Sequence, residues 1–475
     1  MKLRSLALST LSALALSACA VGPDYVATPP RPASSGPFLA AGAPPVSPSP
    51  LPDDWWRLYD DPVLDGLVAD ALTANTDVRQ AVARIERARA GLRGAGAQRL
   101  PQTAIGAGGS YGRQPESQVL PGADREGWTY DAGIEVGYEL DLFGRVGRTV
   151  EAARADLAAS QADADAVRVI VVADTTRAYA DAAANAAQLR VAREIVELLD
   201  QSLALTRRRH DAGLESGLAV AQIGALREQR AAEIPALEAA RQAALYRLAT
   251  LTGRAPAELP AIAGERSVGL EIRDPIPVGD GAALLARRPD IRAAERQLAA
   301  NTARIGVATA DLYPRITLGA SLGSTGPDIG DILTGGPIRW LLGPLLTWAF
   351  PNQEPARARI DAAEAETQES LAAFDGTVLL ALEETETALS NYARSLERRA
   401  ALQTASEQAE RAARITRAQQ REGAINSLAR LDAERTLAET RAQLAAQDAA
   451  VSRAQIDLFR ALGGGWSSEE TAPGG

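Results

Sequence analysis

The chain of 475 residues is nearly empty of several residue types: it has one cysteine, one histidine and one lysine. With Cys19 alone no disulfide can close within a chain, and with His210 alone no Cys/His set of the kind that holds zinc can be assembled. There is no phosphate loop, no nucleophile elbow and no HExxH pair, so the common signatures of an enzyme are missing and none is expected. No stretch approaches 18 consecutive apolar residues, which removes a transmembrane helix and leaves strands as the only route across a bilayer. Positive charge is also short. The formal charge is −10 and becomes −12 once Lys2 and Arg4 are lost with a cleaved leader, a poor balance for binding nucleic acid.

What is present begins with that leader. Residues 1–18 carry a basic start (Lys2, Arg4) and an apolar run from Leu6 to Leu16, the pattern of a secretory signal. Leu16-Ser17-Ala18-Cys19 resembles a bacterial lipobox, in which the cysteine is acylated and becomes the mature N-terminus. Covalent diacylglycerol and N-acyl lipid on Cys19 are thus the only added groups expected; no cofactor and no metal is. Residues 19–52 are rich in Pro, Ala, Gly and Ser and read as an extended, lipid-anchored segment.

The most informative stretch runs from Trp128 to Ala212. Every even position from Trp128 to Leu142 is apolar, while the odd ones are polar, acidic or glycine, which is a strand with two unlike faces. From Arg148 to Ala212 there is then no Gly or Pro, and a helix of that length would run roughly 100 Å. A helical pattern from Leu64 to Leu100, ended by Pro101, precedes a first strand at about 102–112, and the opening strand (about 128–142) completes a hairpin. Gly213 and Gly217 break the rod in a tight turn, and a return helix runs from Leu218 to about Thr252, with a kink expected at Pro235.

The pattern then recurs. A shift of 213 places Arg79, Pro101 and Gly106 on Arg292, Pro314 and Gly319; a shift of 210 places Gly213, Leu218 and Gly253 on Gly423, Leu428 and Gly463. The expected organisation is a first repeat at 53–254, a linker at 255–281, a second repeat at 282–463 with strands at about 315–324 and 338–350, and a flexible tail at 464–475. Each repeat is a helix, β-hairpin, long helix, turn and helix, so the class is mostly α with a small transmembrane β part. Leu189, Ala192, Val196, Leu199 and Leu203 step by three and four, as in helices packed side by side as coiled coils.

Four strands per chain are too few for a barrel without edges, so spanning strands require an oligomer; eight strands from two chains or twelve from three both satisfy the pattern. In the opening strand Asp131, Glu135 and Glu139 lie opposite the apolar face. Against lipid they would cost several kcal/mol and in a water-filled lumen little, which assigns them to a lumen.

Three stretches carry a resemblance: Cys19-Ala20-Val21-Gly22-Pro23-Asp24-Tyr25; Tyr138-Glu139-Leu140-Asp141-Leu142-Phe143-Gly144-Arg145; and the run from Arg287-Arg288-Pro289-Asp290 to Ala310-Asp311-Leu312-Tyr313-Pro314. With them in order, the chain resembles the TolC-like outer-membrane efflux proteins, in their NodT-type lipoprotein branch. The resemblance implies a homotrimer with a twelve-stranded β-barrel continued by a twelve-helix α-barrel through the periplasm. It also implies a periplasmic adaptor (membrane fusion) protein and an inner-membrane RND-type transporter as partners, with export of small toxic compounds or drugs.

It further implies that the two helix tips form the entrance. Gly423 to Ala433 resembles the family's tip motif and ends on its gate-type aspartate, Asp432, with Asn426 and Arg430 as further gate candidates. Gly213, Gly217, Gly423, Arg209 and Arg421 are the expected tip-turn and adaptor-contact residues. Ala429 and Ala219 stand where a second acidic ring would lie. Two other readings share part of the pattern: a conduit for secreted proteins or peptides, and a periplasmic coiled-coil lipoprotein with no pore.

Overall fold

The computed structural model describes residues 20–27, 35–39, 46–115, 117, 119, 124–272, 274–333, 338–422, 424–425 and 427–466. The leader, Cys19, Gly423, Asn426 and residues 467–475 of the expected tail lie outside the described residues. The elements run α1 (Pro62–Ala74), α2 (Thr76–Ala97), β2 (Gln102–Arg113), β3 (Glu126–Leu140), α3 (Arg145–Asp211), α4 (Gly217–Ala231) and α5 (Glu233–Leu251) in the first half. The second half has α6 (Gly281–Arg287), α7 (Pro289–Ala310), β5 (Arg315–Gly326), the short α8 (Ile329–Leu333), β6 (Ile338–Thr347), α9 (Glu354–Arg421) and α10 (Ser427–Ala461). There are also two-residue strands β1 (Val46–Ser47) and β4 (Ile276–Pro277) and short 3-10 helices at Trp55–Tyr59, Pro256–Glu258 and Ala261–Gly264. The expected rods are single helices of 67 and 68 residues.

The chain divides into two compact units. The first takes residues 84–161 and 293–375 with the N-terminal segment, and holds the four-stranded antiparallel sheet in the order β2-β3-β5-β6. The register keeps like faces together. Ile105, Ile134, Leu322 and Trp340 form one cross-strand row of an apolar face, and Ala104, Glu135, Ser321 and Leu341 a row of the other. The apolar row is open to solvent in the single chain, with Ile105 85% and Trp340 74% exposed, an apolar surface that nothing in the same chain covers.

The second face is paved with glycine. Gly106, Gly133 and Gly323 stand in one row, and a Cβ on Gly323 would lie 2.6 Å from the Ala132 carbonyl oxygen. The missing side chains let β3 and β5 approach closely on this side, as in a sheet that curls around it.

At the end of β3 the Asp141 carboxylate accepts from the amides of Val146 (2.9 Å) and Gly147 (2.7 Å), which caps α3 and ties strand to rod. Residues 20–25, the start of the expected extended segment, are docked here. Val21 N–H donates to the Phe143 carbonyl at 3.2 Å, Arg148 pairs with Asp24 at 2.6 Å, and Tyr25 donates to Glu295 at 3.0 Å.

The second unit holds the main hydrophobic core. Trp55, fully buried, stacks on Phe459 with ring centroids 4.5 Å apart, and Leu64, Leu248, Leu270, Ile276 and Leu458 close around them. The segment expected as a linker is part of this core: Ala263, Leu270, Ile272, Ile276 and Val278 are buried, and β4 pairs in parallel with β1. It forms, with residues 46–62, a belt against the helices of this unit. Of the expected tail, Trp466 is buried and Gly465 N–H donates to the Asp53 carbonyl at 3.0 Å.

Two helices break where the pattern looked continuous. Asn75 ends α1 and caps α2 through its Oδ1, while its Nδ2 donates to the Leu251 carbonyl at 2.9 Å. The return helix breaks at Ala232, three residues before Pro235, where the proline lies in the first turn of α5 and needs no amide partner.

Candidate lumen and gate

The three acids expected to face a lumen differ in their surroundings. Asp131 accepts from Thr325 Oγ1 at 3.0 Å and is paired with Arg339, whose Nε also reaches Thr325 at 2.9 Å. Glu139 is held bidentately by Arg145, at 2.8 and 2.6 Å. Glu135 is exposed and makes no ion pair among the described residues. A face that reads as strongly acidic in sequence therefore keeps one uncompensated carboxylate per chain on β3. Arg339 and Arg145 lie 208 and 6 residues from their partners, so only the second pairing had a local signal in the sequence.

The first tip closes α3 with a left-handed residue. Gly213 has φ +74°, its amide donates to the His210 carbonyl at 2.8 Å, and the Leu214 amide reaches back to Arg209 at 2.8 Å. Ser216 then caps α4 by accepting from Ala219 N–H at 3.3 Å, so Gly217 is the first residue of the returning helix. Arg209 lies 3.6 Å from Glu215, and His210 Nδ1 sits 2.9 Å from the Glu215 carbonyl, which leaves the lone histidine in a turn. At the second tip the Ala424 amide reaches Gln419 at 2.8 Å, the same closure 210 residues on, and Arg421 is exposed at the end of α9.

The gate candidates separate. Asp432 is exposed on the first turns of α10 and forms no ion pair among the described residues. Arg430 is buried, with Nη1 on Gln420 Oε1 at 2.5 Å and Nη2 on Ser202 Oγ at 2.6 Å. It was grouped with the residues that line the entrance; the structure instead uses it to join α3, α9 and α10 behind that surface. Glu434 sits beside it, 3.6 Å from Arg430 Nε, and takes both Arg417 Nε (2.6 Å) and Nη2 (2.7 Å).

Two guanidiniums thus share one buried carboxylate. Burial, with the fields of Arg417 and Arg209, pulls the Arg430 guanidinium below its ordinary pKa, while the Glu434 bond holds that of Arg417 up. The i, i+4 spacing of Arg430 and Glu434 was visible in the sequence, but Ser202 and Arg417 as their partners were not.

Comparison with known proteins decides what this geometry belongs to. The family model described as "Outer membrane efflux protein" matches residues 67–254 and 282–464, one match for each repeat. The chain belongs to the outer membrane efflux protein family. Outer membrane protein OprJ of Pseudomonas aeruginosa is 33% identical over 463 residues, spanning 96% of this chain and 95% of that protein. Nodulation protein T of Rhizobium leguminosarum bv. trifolii is 30% identical over 454 residues, spanning 96% of each. The solved structure of the outer-membrane channel OprN superposes with a TM-score of 0.87 at 36% identity, covering 94% of this chain and all of the other.

These agree with the NodT-type resemblance and with the mostly helical channel fold. As a member of the efflux family the chain is an outer-membrane channel with a helical tunnel in the periplasm, the outer-membrane component of a tripartite efflux system, and it is not an enzyme.

Proposed function

We propose that three copies of the chain close a twelve-stranded barrel continued by a twelve-helix tunnel, a passive conduit for small toxic compounds or drugs. The observation that carries the reading is the four-stranded sheet. It presents an exposed apolar face, a glycine-rich polar face and two outer strands, β2 and β6, that pair with nothing further among the described residues. Joining β6 of one copy to β2 of the next removes every open edge, as hydrocarbon requires.

An inner-membrane RND-type transporter would supply energy and selection, and a periplasmic adaptor would meet the tips through Arg209, Arg421 and the turns at Gly213, Gly217 and Gly423. Lipid on Cys19 anchors the N-terminus to the membrane. Asp432 rings the entrance and favours cations, with Asn426 as a further gate candidate. Deleting the gene and screening for hypersensitivity to toxic organic compounds and metal ions tests the role; unchanged tolerance across the screen, or purified protein that neither trimerises nor conducts in a lipid bilayer, defeats it.

A further inference from the structure

The second unit has a face that its core does not use. Along α10, Ser452, Gln455 and Phe459 turn toward the belt. Gln455 exchanges hydrogen bonds with Ile272 at 3.4 and 3.1 Å, Ser452 donates to the Leu270 carbonyl, and Phe459 stacks on Trp55. On α10 the groove residues Asp457 and Ala461 stand about 120–180° round from Ser452, Gln455 and Phe459, with Arg460 on the flank beside them, and on α9 Glu383 is nine residues before the buried Tyr392, about 180° round. The groove they line is turned from the belt. In a tube with a wall one helix thick, the reading proposed above and on which this inference rests, that side is the lumen.

Glu383 and Arg460 line one groove of about 300 Å³ between α9 and α10. It has two other charged groups, and both are committed: Glu384 to Arg288 at 2.9 Å and Asp457 to Arg177. Glu383 and Arg460 pair with nothing among the described residues and stay more than 4.0 Å from each other, although they share the groove. Asn391 and Thr387 add polar edges, and Ala388 and Ala461 form an apolar floor. The neighbouring groove on the same side, between α3, α5 and α10, differs: each of its charged groups is already paired, Arg247 with Asp174 at 3.0 Å, Arg453 with Asp181 at 2.6 Å and Arg177 with Asp457.

We propose that the α9–α10 groove is a transit site for small zwitterionic solutes, Glu383 receiving an ammonium and Arg460 a carboxylate across the alanine floor. An opposite-charge pair held apart over apolar surface matches a molecule whose two charges are separated by a short carbon chain. A solvated site of this kind binds weakly, which suits a conduit that must release what it holds.

The test uses the full-length protein in planar bilayers with 6-aminohexanoate, hexanoate and hexylammonium as probes. The zwitterion is expected to raise current noise at least about twofold more than either singly charged analogue, as an exchanging two-point contact would. Glu383→Gln and Arg460→Gln should each erase that difference, the double exchange Glu383→Arg with Arg460→Glu should restore it, and Asp181→Asn in the other groove should leave it intact. A zwitterion response equal to that of the analogues, or one that survives both single variants, overturns the site while leaving the channel standing. A wild-type protein that does not conduct defeats the channel reading itself.

Discussion

Replacing Glu434 by glutamine tests whether the network behind the second tip holds that tip shut. The Glu434 side chain is 5% exposed and serves Arg417 and Arg430, the latter only 11% exposed. Glutamine keeps the volume but leaves Arg430 buried beside Arg417 and Arg209 with no counter-charge. Breaking a buried pair from one side costs about 3–5 kcal/mol; because Arg417 is 30% exposed and water screens it, the lower end, about 3 kcal/mol, applies.

That energy is a factor of about 150 in a local equilibrium, enough to take a tip that opens about 1% of the time to one open more than half of it. Single-channel recording at fixed salt should show longer and larger openings, and cells carrying the variant should become sensitive to large hydrophilic antibiotics. Removing the orphaned charge in the double variant Glu434→Gln, Arg430→Gln should return part of the closed population. Glu397→Gln, on an exposed i, i+3 partner of Arg394, should do nothing. An intact trimer of Glu434→Gln with an unchanged open fraction would refute the reasoning.

Three shorter predictions come from other parts of the chain. Gly323→Val adds a side chain where a Cβ already meets the Ala132 carbonyl at 2.6 Å, so the heat-modifiable trimer on a native gel should be lost, whereas Gly36→Ala, with open space around it, should assemble normally. Tyr25 is pushed up to about 12 by burial and by Glu295, so the fold prefers its neutral form. The stabilisation is complete below the unfolded value of about 10 and is lost as pH rises toward about 12, and proteolysis within residues 20–27 should accelerate over that window in wild type and not in Tyr25→Phe. Finally, Lys2 is the sole lysine, so a chain processed at Cys19 has no primary amine other than its own N-terminus. If that terminus is N-acylated, an amine-reactive dye should leave the mature protein essentially unlabelled; about one dye per chain would show a free α-amine.

How much of this was legible in the sequence depended on distance along the chain. Strands and rods were, because alternation from Trp128 to Leu142 and the absence of Gly and Pro from Arg148 to Ala212 are local patterns, and the observed β3 and α3 begin and end within three residues of them. The repeat was legible because the tip glycine, the leucine after it and the terminal glycine recur at one spacing. The belt was not. Leu270, Ile272, Ile276 and Val278 keep a period of two, but Asp274 and two prolines interrupt it into pieces too short to announce a core, and their partners, such as Gln455 for Ile272, lie 183 residues away. The lumen acids were read as three equal charges for the same reason: nothing near Asp131 announces Arg339.

The departures from the repeat are more telling than the repeat itself. The shift of 210 that superposes the tips places Arg207, His210, Val220 and Gly224 where the second copy has Arg417, Gln420, Arg430 and Glu434. The first tip therefore has the same backbone closure, Leu214 to Arg209 as Ala424 to Gln419, and none of the buried charge network. Conserving the turn while changing the residues behind it separates two jobs. The turns set where the helices stop, and the ion-pair network sets how firmly one hairpin is held against its neighbour. Since Arg430 also bonds Ser202 of the first copy's rod, the second hairpin cannot swing away from α3 without giving up that bond and rehydrating Glu434. In the first hairpin the pairs Arg227 with Asp200 and Arg230 with Glu439 end on carboxylates that water reaches, so under the gate proposed above the larger cost of opening falls on the second repeat, on the same helix that carries Asp432.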